Sequence, residues 1–195
     1  MSFSALILAG GQSKRMGRDK AWLETGGQPL LARQIALARE SGAREVFVSG
    51  RPGRDYSAFG CPVLLDQFPD AGPLAGIERG LDATSSPLLL VLAVDLPGLK
   101  VELLQRLSAQ CRDEQGAIPR IAGRLEPLAA FYPRIAHPLA ISLLKERSVA
   151  VRSFATLCVQ SGLATFADLP GAAETAFTNW NVPGDVRPVV SGPDR

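Results

Sequence analysis

The residues best suited to chemistry stand where an apolar run stops. Ser4 to Ala9 (SALILA) passes into Gly10-Gly11, and Lys14, Arg15, Arg18 and Lys20 follow. Glycine after a strand lets backbone N–H groups come close to a phosphate. A cation ~4 Å from a negative charge is worth on the order of 4 kcal/mol at an effective dielectric of ~20, before desolvation. One lysine does not neutralise a triphosphate, with its charge of about −4; several cations, or cations with a divalent metal, do. The run has neither G-x-x-x-x-G-K-[ST] nor G-x-G-x-x-G, so it is not a standard P-loop or dinucleotide fingerprint. Such charge runs are commonly solvated loops. The glycine pair directly after a strand favours the anion-binding reading.

Two carboxylates follow other apolar runs. Asp95 ends LLLVLAV and opens Asp-Leu-Pro-Gly; it reads either as a turn cap or as a hard ligand for Mg²⁺, which takes one or two carboxylates plus substrate phosphates. Asp66 follows Val63 to Leu65 and reads equally as a turn residue or a ligand. His137 is the only histidine and lies far from the cationic run in sequence; no catalytic role is assigned to it. Cys61, Cys111 and Cys158 are scattered without C-x-x-C spacing, which predicts free thiols in a reducing compartment and argues against a metal site.

Positioning these residues requires a sheet. Ser4 to Ala9, Glu45 to Ser49, Val63 to Leu65 and Leu88 to Val94 read as strands. Pro29 to Ser41, Leu74 to Leu81 and the face of Val101, Leu104 and Leu107 read as helices. The alternation predicts an α/β domain, a Rossmann-like three-layer sandwich with a mostly parallel sheet. In such sheets the carboxyl ends of the strands share a rim where ligands bind. Gly10, Gly11, Ser49, Gly50, Arg51, Asp66 and Asp95 all follow strands and should meet there. Further on, Ile118 to Leu125 carries a turn at Ala122-Gly123 and Leu128 to Tyr132 reads as a strand. Pro138 to Lys145 and Val149 to Cys158 read as helices, and Leu163 to Phe166 as a late strand. This second half is expected to complete the same sheet and to wall a cleft. Residues 1–185 are expected to form one domain, with 186–195 a frayed tail.

The 195 residues suit one well-buried domain. A net charge of +2 gives no argument for nucleic acid or membrane as a partner. The N-terminal run reads as a strand and not a signal peptide, and no apolar run reaches the length of a membrane helix. The expected compartment is the cytoplasm.

LAGGQSKRMGRDK (Leu8 to Lys20) resembles the signature of the molybdenum cofactor guanylyltransferase family, in the nucleotidyltransferase superfamily. DQFPDAGPLAGI (Asp66 to Ile77), VLAVDLPGL (Val91 to Leu99), EPLAAFYP (Glu126 to Pro133) and FTNWNVPGDV (Phe177 to Val186) are similar to later segments of that family, in order. Asp19-Lys20, where other branches carry Pro-Lys, points to the molybdopterin branch. The resemblance implies a fold of the nucleotide-diphospho-sugar transferase type. It implies that GMP passes from GTP to the phosphate of molybdopterin, or of its molybdenum-loaded form, with Mg²⁺ as cofactor and pyrophosphate as leaving group. Leu8, Ala9, Gly10 and Gly11 would wrap the nucleotide. Arg15 and Lys20 would hold the triphosphate and act in catalysis with Asp95, the metal ligand. Asp66, Gly72, Pro73, Leu74 and Gly76 would lie near guanine and ribose, and Asn179 and Asn181 near the pterin. Cofactor-delivery proteins or molybdoenzymes would be transient partners. A guanine contact from Ser49 or Arg51 is not carried over, because some members have asparagine after the second strand and this chain reads Val48-Ser49-Gly50-Arg51. Trp180 reads as a packed aromatic or as a stacking surface for the pterin. CTP as donor, a sugar phosphate as acceptor, and a regulator that binds nucleotide without turnover remain alternatives.

Overall fold

The computed structural model describes residues 1–9, 19–68 and 70–180. Its centre is β1 (Phe3–Leu8), buried at every position. It pairs in parallel with β4 (Val46–Gly50) on one side and β6 (Leu88–Ala93) on the other. β5 (Val63–Leu65) extends the sheet beyond β4 in parallel, and β9 (Ala129–Pro133) pairs antiparallel with β6, giving the order β5-β4-β1-β6-β9.

Side chains alternate across this sheet, as the pleat requires. Ala5, Ile7, Leu88, Leu90 and Leu92 enter one core, with Leu30, Leu31 and Ile35 of α1 (Leu30–Glu40) and Leu104 and Leu107 of α3 (Val101–Ser108). Leu6, Leu8, Leu89 and Val91 enter the other core. They meet α2 (Pro73–Ala83), α4 (His137–Lys145) and α5 (Val151–Gln160) through residues such as Leu74, Ile77, Leu143 and Phe154. The three-layer α/β expectation therefore holds. Each such aliphatic side chain contributes roughly 1.5–3 kcal/mol by leaving water, so both faces of the sheet are strongly fixed. Glycines set how close the layers come. A Cβ at Gly76 of α2 would lie 2.5 Å from Ser49 Oγ, and one at Gly80 would lie 2.9 Å from the Cδ2 atoms of Leu6 and Leu89.

The second half does not simply complete the sheet, as the sequence reading expected. Only β9 joins it. β7 (Gly116–Ile121), β8 (Arg124–Leu125) and β10 (Ala164–Leu169) form a separate three-stranded sheet, with β7 parallel to β10 and antiparallel to β8. Pro119, in the middle of β7, has no N–H to give a ladder, and its carbonyl accepts from Glu126 N at 2.9 Å. The expected turn at Ala122-Gly123 joins β7 to β8, with φ of 48° and 80°. Two smaller elements were not anticipated. Lys20–Trp22 forms a single 3-10 turn, and β2 (Glu24–Thr25) and β3 (Gln28–Pro29) form a hairpin through Gly26-Gly27, both at positive φ. The expected tail at 186–195 lies outside the described residues.

Where β7 begins, its backbone lies against β9. A Cβ on Gly116 would stand 2.0 Å from the Phe131 carbonyl oxygen, a backbone atom that no rotamer change can move. Gly116→Ala should therefore destabilise the fold by about 3 kcal/mol, whereas Gly171→Ala, which meets nothing within 4 Å, should leave the urea midpoint nearly unchanged. Chemical denaturation of the two variants checks this.

Candidate active site

The strand order sets the location. Reading only the parallel strands, β1 lies between the second and fourth, so the chain reverses its direction of travel across the sheet beside β1. Crevices at such switch points receive ligands. Leu8 of β1 stands beside Ala93 of β6, so the segments leaving these two strands emerge together. Asp95 follows one of them. Opposite it lies Lys20, whose Nζ is 2.7 Å from Asp95 Oδ2, with side chains 17% and 19% exposed. Residues 75 positions apart thus form a close, partly buried charge pair.

Both members are held by their own supports. On the lysine side, Asp19 caps the 3-10 turn: its Oδ1 accepts from Ala21 N at 3.1 Å, while Trp22 N and Leu23 N donate to the carbonyls of Asp19 and Lys20. On the aspartate side, α1 reaches the Asp95–Gly98 turn. Buried Gln34 donates from Nε2 to the Leu96 carbonyl at 2.7 Å, and Arg33 Nε donates to the Pro97 carbonyl at 3.2 Å. The sequence reading missed Gln34. Its signal is a polar residue within the apolar stripe Leu30, Leu31, Ile35, Leu37 and Ala38.

The C-terminal part of the described chain crosses the same turn. Trp180 N donates to the Asp95 carbonyl at 3.0 Å, and the partly buried indole packs against the core. Asn179, its neighbour, is thereby brought to the Asp95 side. A Cβ on Gly98 would lie 3.0 Å from the Thr175 carbonyl, so a side chain in the turn would press on the backbone that crosses it.

On the other flank, Ser49 stands next to the last residue of β4 and Asp66 directly follows β5, with Ser49 Oγ 3.5 Å from Asp66 Oδ1, at the limit for a hydrogen bond. Gly72, at φ 65° and ψ −157°, precedes Pro73 at the first turn of α2; that conformation is essentially confined to glycine. Pro73 is exposed, Leu74 is buried in the α2 core, and Gly76 faces Ser49 and Leu8. Leu8 and Ala9, expected to wrap a nucleotide, use backbone groups within the sheet: Leu8 O accepts from Val94 N and Ala9 N donates to Ser49 O. Gly10, Gly11, Lys14, Arg15, Arg18 and Asn181 lie outside the described residues.

Residues without an assigned chemical role are otherwise engaged. His137 Nε2 is 2.8 Å from Glu78 Oε1, joining the start of α4 to α2. Arg120 grips Asp168 through two bonds of 2.6 and 2.8 Å, above the Phe166 ring. Cys61, Cys111 and Cys158 are free and buried, and burial pushes the last two thiols up to about 12.

Among the described residues, Asp95 is a side chain that could hold a metal ion. Among the described residues no group of three or more His, Cys, Asp or Glu side chains could cage an ion. A single partly exposed carboxylate, Asp95, beside a strand-end crevice is what Mg²⁺ uses when phosphates supply the remaining ligands. The donor set fits that ion.

A family model described as the MobA-like NTP transferase domain matches residues 5–158. The chain belongs to the MobA-like NTP transferase family. It is 35% identical over 187 residues, 94% of this chain and 93% of the relative, to the protein of Opitutus terrae named "Probable molybdenum cofactor guanylyltransferase". The Rhodobacter capsulatus protein named molybdenum cofactor guanylyltransferase is 42% identical over 114 residues, 56% of this chain and 59% of the relative. Among solved structures, molybdopterin-guanine dinucleotide biosynthesis protein A from Archaeoglobus fulgidus superimposes with a TM-score of 0.71 at 21% identity over 94% of each chain. The 2-C-methyl-D-erythritol 4-phosphate cytidylyltransferase from Thermus thermophilus gives 0.69 at 24% identity, covering 95% of this chain and 96% of that one. The fold is that of the nucleotide-diphospho-sugar transferases.

The electrostatics of this rim leave one trace in stability. Burial pushes the Asp66 carboxyl above its ordinary value, with Ser49 opposing and the Glu78 charge adding to the rise. The folded state thus binds this proton more tightly than the unfolded chain. The resulting stabilisation is complete below the unfolded-state value of about 4 and is lost as pH rises through the folded-state value. Asp66→Asn should therefore gain melting temperature relative to the parent as pH rises from about 4 to neutrality. Paired thermal melts across that range check the sign.

Proposed function

We propose that this chain is a nucleotidyltransferase that moves GMP from GTP to the terminal phosphate of molybdopterin or its molybdenum-loaded form. An oxygen of that phosphate attacks the α-phosphorus of GTP, the α–β bridging P–O bond breaks, and pyrophosphate leaves. The observation that carries the reading is the Lys20–Asp95 pair, at 2.7 Å on the rim beside β1, in a chain related along nearly its whole length to a protein named for this activity.

The phosphate nucleophile is already ionised near neutral pH, so no general base is needed, in keeping with His137 being bound to Glu78. The chain's task is positioning and charge stabilisation. Lys20, with Arg15, holds the triphosphate, and Asp95 would hold Mg²⁺, which when bound would supply charge neutralisation. Leu8, Ala9, Gly10 and Gly11 border the nucleotide. Asp66 and the Gly72, Pro73, Leu74 and Gly76 segment take the guanine and ribose side, and Asn179 and Asn181 the pterin side. The N-terminal half serves the nucleotide and the C-terminal half the acceptor. Among the described residues no helix is long and apolar enough to cross a membrane. The cytoplasm is the proposed site of action, with transient hand-over to cofactor-delivery proteins or molybdoenzymes.

Lys20→Ala and Asp95→Ala should each lower pyrophosphate release from GTP, with molybdopterin as acceptor, by on the order of a hundredfold or more, while melting within a few degrees of the parent. Near-full activity in Asp95→Ala would remove it as the metal ligand. CTP should compete poorly with GTP; preferential turnover of CTP would keep the mechanism and change the product.

A further inference from the structure

Tyr56 lies in the polar connection between β4 and β5, RPGRDYSAFG, yet is only 1% exposed. Its ring fits against Gly50, where a Cβ would come within 3.4 Å of two ring carbons. Its hydroxyl donates to Asp19 Oδ2 at 2.7 Å. The other oxygen of the same carboxylate accepts from Ala21 N and closes the turn that carries Lys20. Arg54 Nε stands 3.7 Å from Oδ2, on a side chain 52% exposed, and is a weaker partner. A second contact joins the same two segments: the rings of Trp22, at the end of the lysine's turn, and Phe59, three residues after Tyr56, lie 4.7 Å apart.

We propose that Tyr56 is a positioning residue for phosphate binding, acting through Asp19 on Lys20. Asp19 is almost fully buried and its two oxygens are divided between two tasks. One caps the lysine's turn, and the other is pinned by the phenol of a separate chain segment. A cap that is free to rotate would let the turn open and Lys20 swing away from Asp95. Burial and the Asp19 bond push the Tyr56 phenol well above its ordinary value, so it stays a proton donor throughout the working range. The inference rests on the assignment of Lys20 to the triphosphate.

The test is a double-mutant cycle on the full chain, with GTP affinity in Mg²⁺ read by calorimetry for the parent, Tyr56→Phe, Lys20→Ala and the double variant. Phenylalanine keeps the ring against Gly50 and removes only the hydroxyl; melting temperature reports the fold separately. The expected result is about tenfold weaker binding for Tyr56→Phe in the parent background, and less than about twofold further loss once Lys20 is already alanine. An equal loss in both backgrounds would make Tyr56 a general structural residue and overturn the proposal, as would unchanged affinity in Tyr56→Phe. Unchanged affinity in Lys20→Ala alone would instead overturn the assignment of Lys20, and this inference with it.

Discussion

Parallel pairing of β1 with a neighbour on each side is the constraint from which the rest follows. A parallel ladder requires its connections to cross a face of the sheet, so helices must cover both sides and every β1 residue must be apolar or internally satisfied. Ser4, the polar residue of β1, meets this condition through Ser86 Oγ at 3.0 Å and Glu45 at 3.1 Å. Because the strands run the same way, their carboxyl ends share one rim. The reversal of connection direction beside β1 keeps helices from filling the space above β1 and β6. The charge pair occupies that space.

Strands deliver residues to the rim but do not orient them. Lys20 and Asp95 both sit beyond strand ends, on short irregular segments that need other supports. Helix α1 supports both. Its first residue, Leu30, donates to Leu23 O at 2.7 Å, next to the lysine's turn, and Gln34 and Arg33 hold the carbonyls after Asp95. Helix α1 is anchored in turn by its apolar face against β1. Hydrophobic burial thus fixes a helix, and the helix fixes two polar turns. The ordering cost of a charged site is met by the core rather than by the site itself.

The rim also carries groups that burial penalises. Asp66 is held where its charge is disfavoured, and the second oxygen of buried Glu78 has no hydrogen-bond partner among the described residues. The buried Nε atoms of Arg51 and Arg79 have none either. Such polar atoms cost stability unless something satisfies them. These three fall on the β4, β5 and α2 flank, the side that the proposed function assigns to base and ribose; Thr25 Oγ1 and Gln34 Oε1, also without a partner among the described residues, lie on β2 and α1.

The sequence alone determined the four parallel strands of the main sheet, the three-layer architecture and the family. These depend on local pattern: unbroken apolar runs for strands buried on both faces, a 3.6-residue stripe for helices, and motifs whose glycines and charges lie close together in the chain. It also marked Lys20 and Asp95 as separate candidates, because each follows a strand. Only the tertiary structure decided that they meet, since a 75-residue separation carries no distance information until β1 and β6 pair. Likewise only the fold could reveal the roles of Gln34 and Tyr56, which depend on what a polar side chain meets across α1 or across a loop. The division of the second half into β9 and a separate small sheet was hidden for a related reason. Strand pattern predicts that a segment will pair, but the choice of partner rests on long-range geometry, here a proline without a donor at 119 and a glycine at 116 that lets two backbones touch.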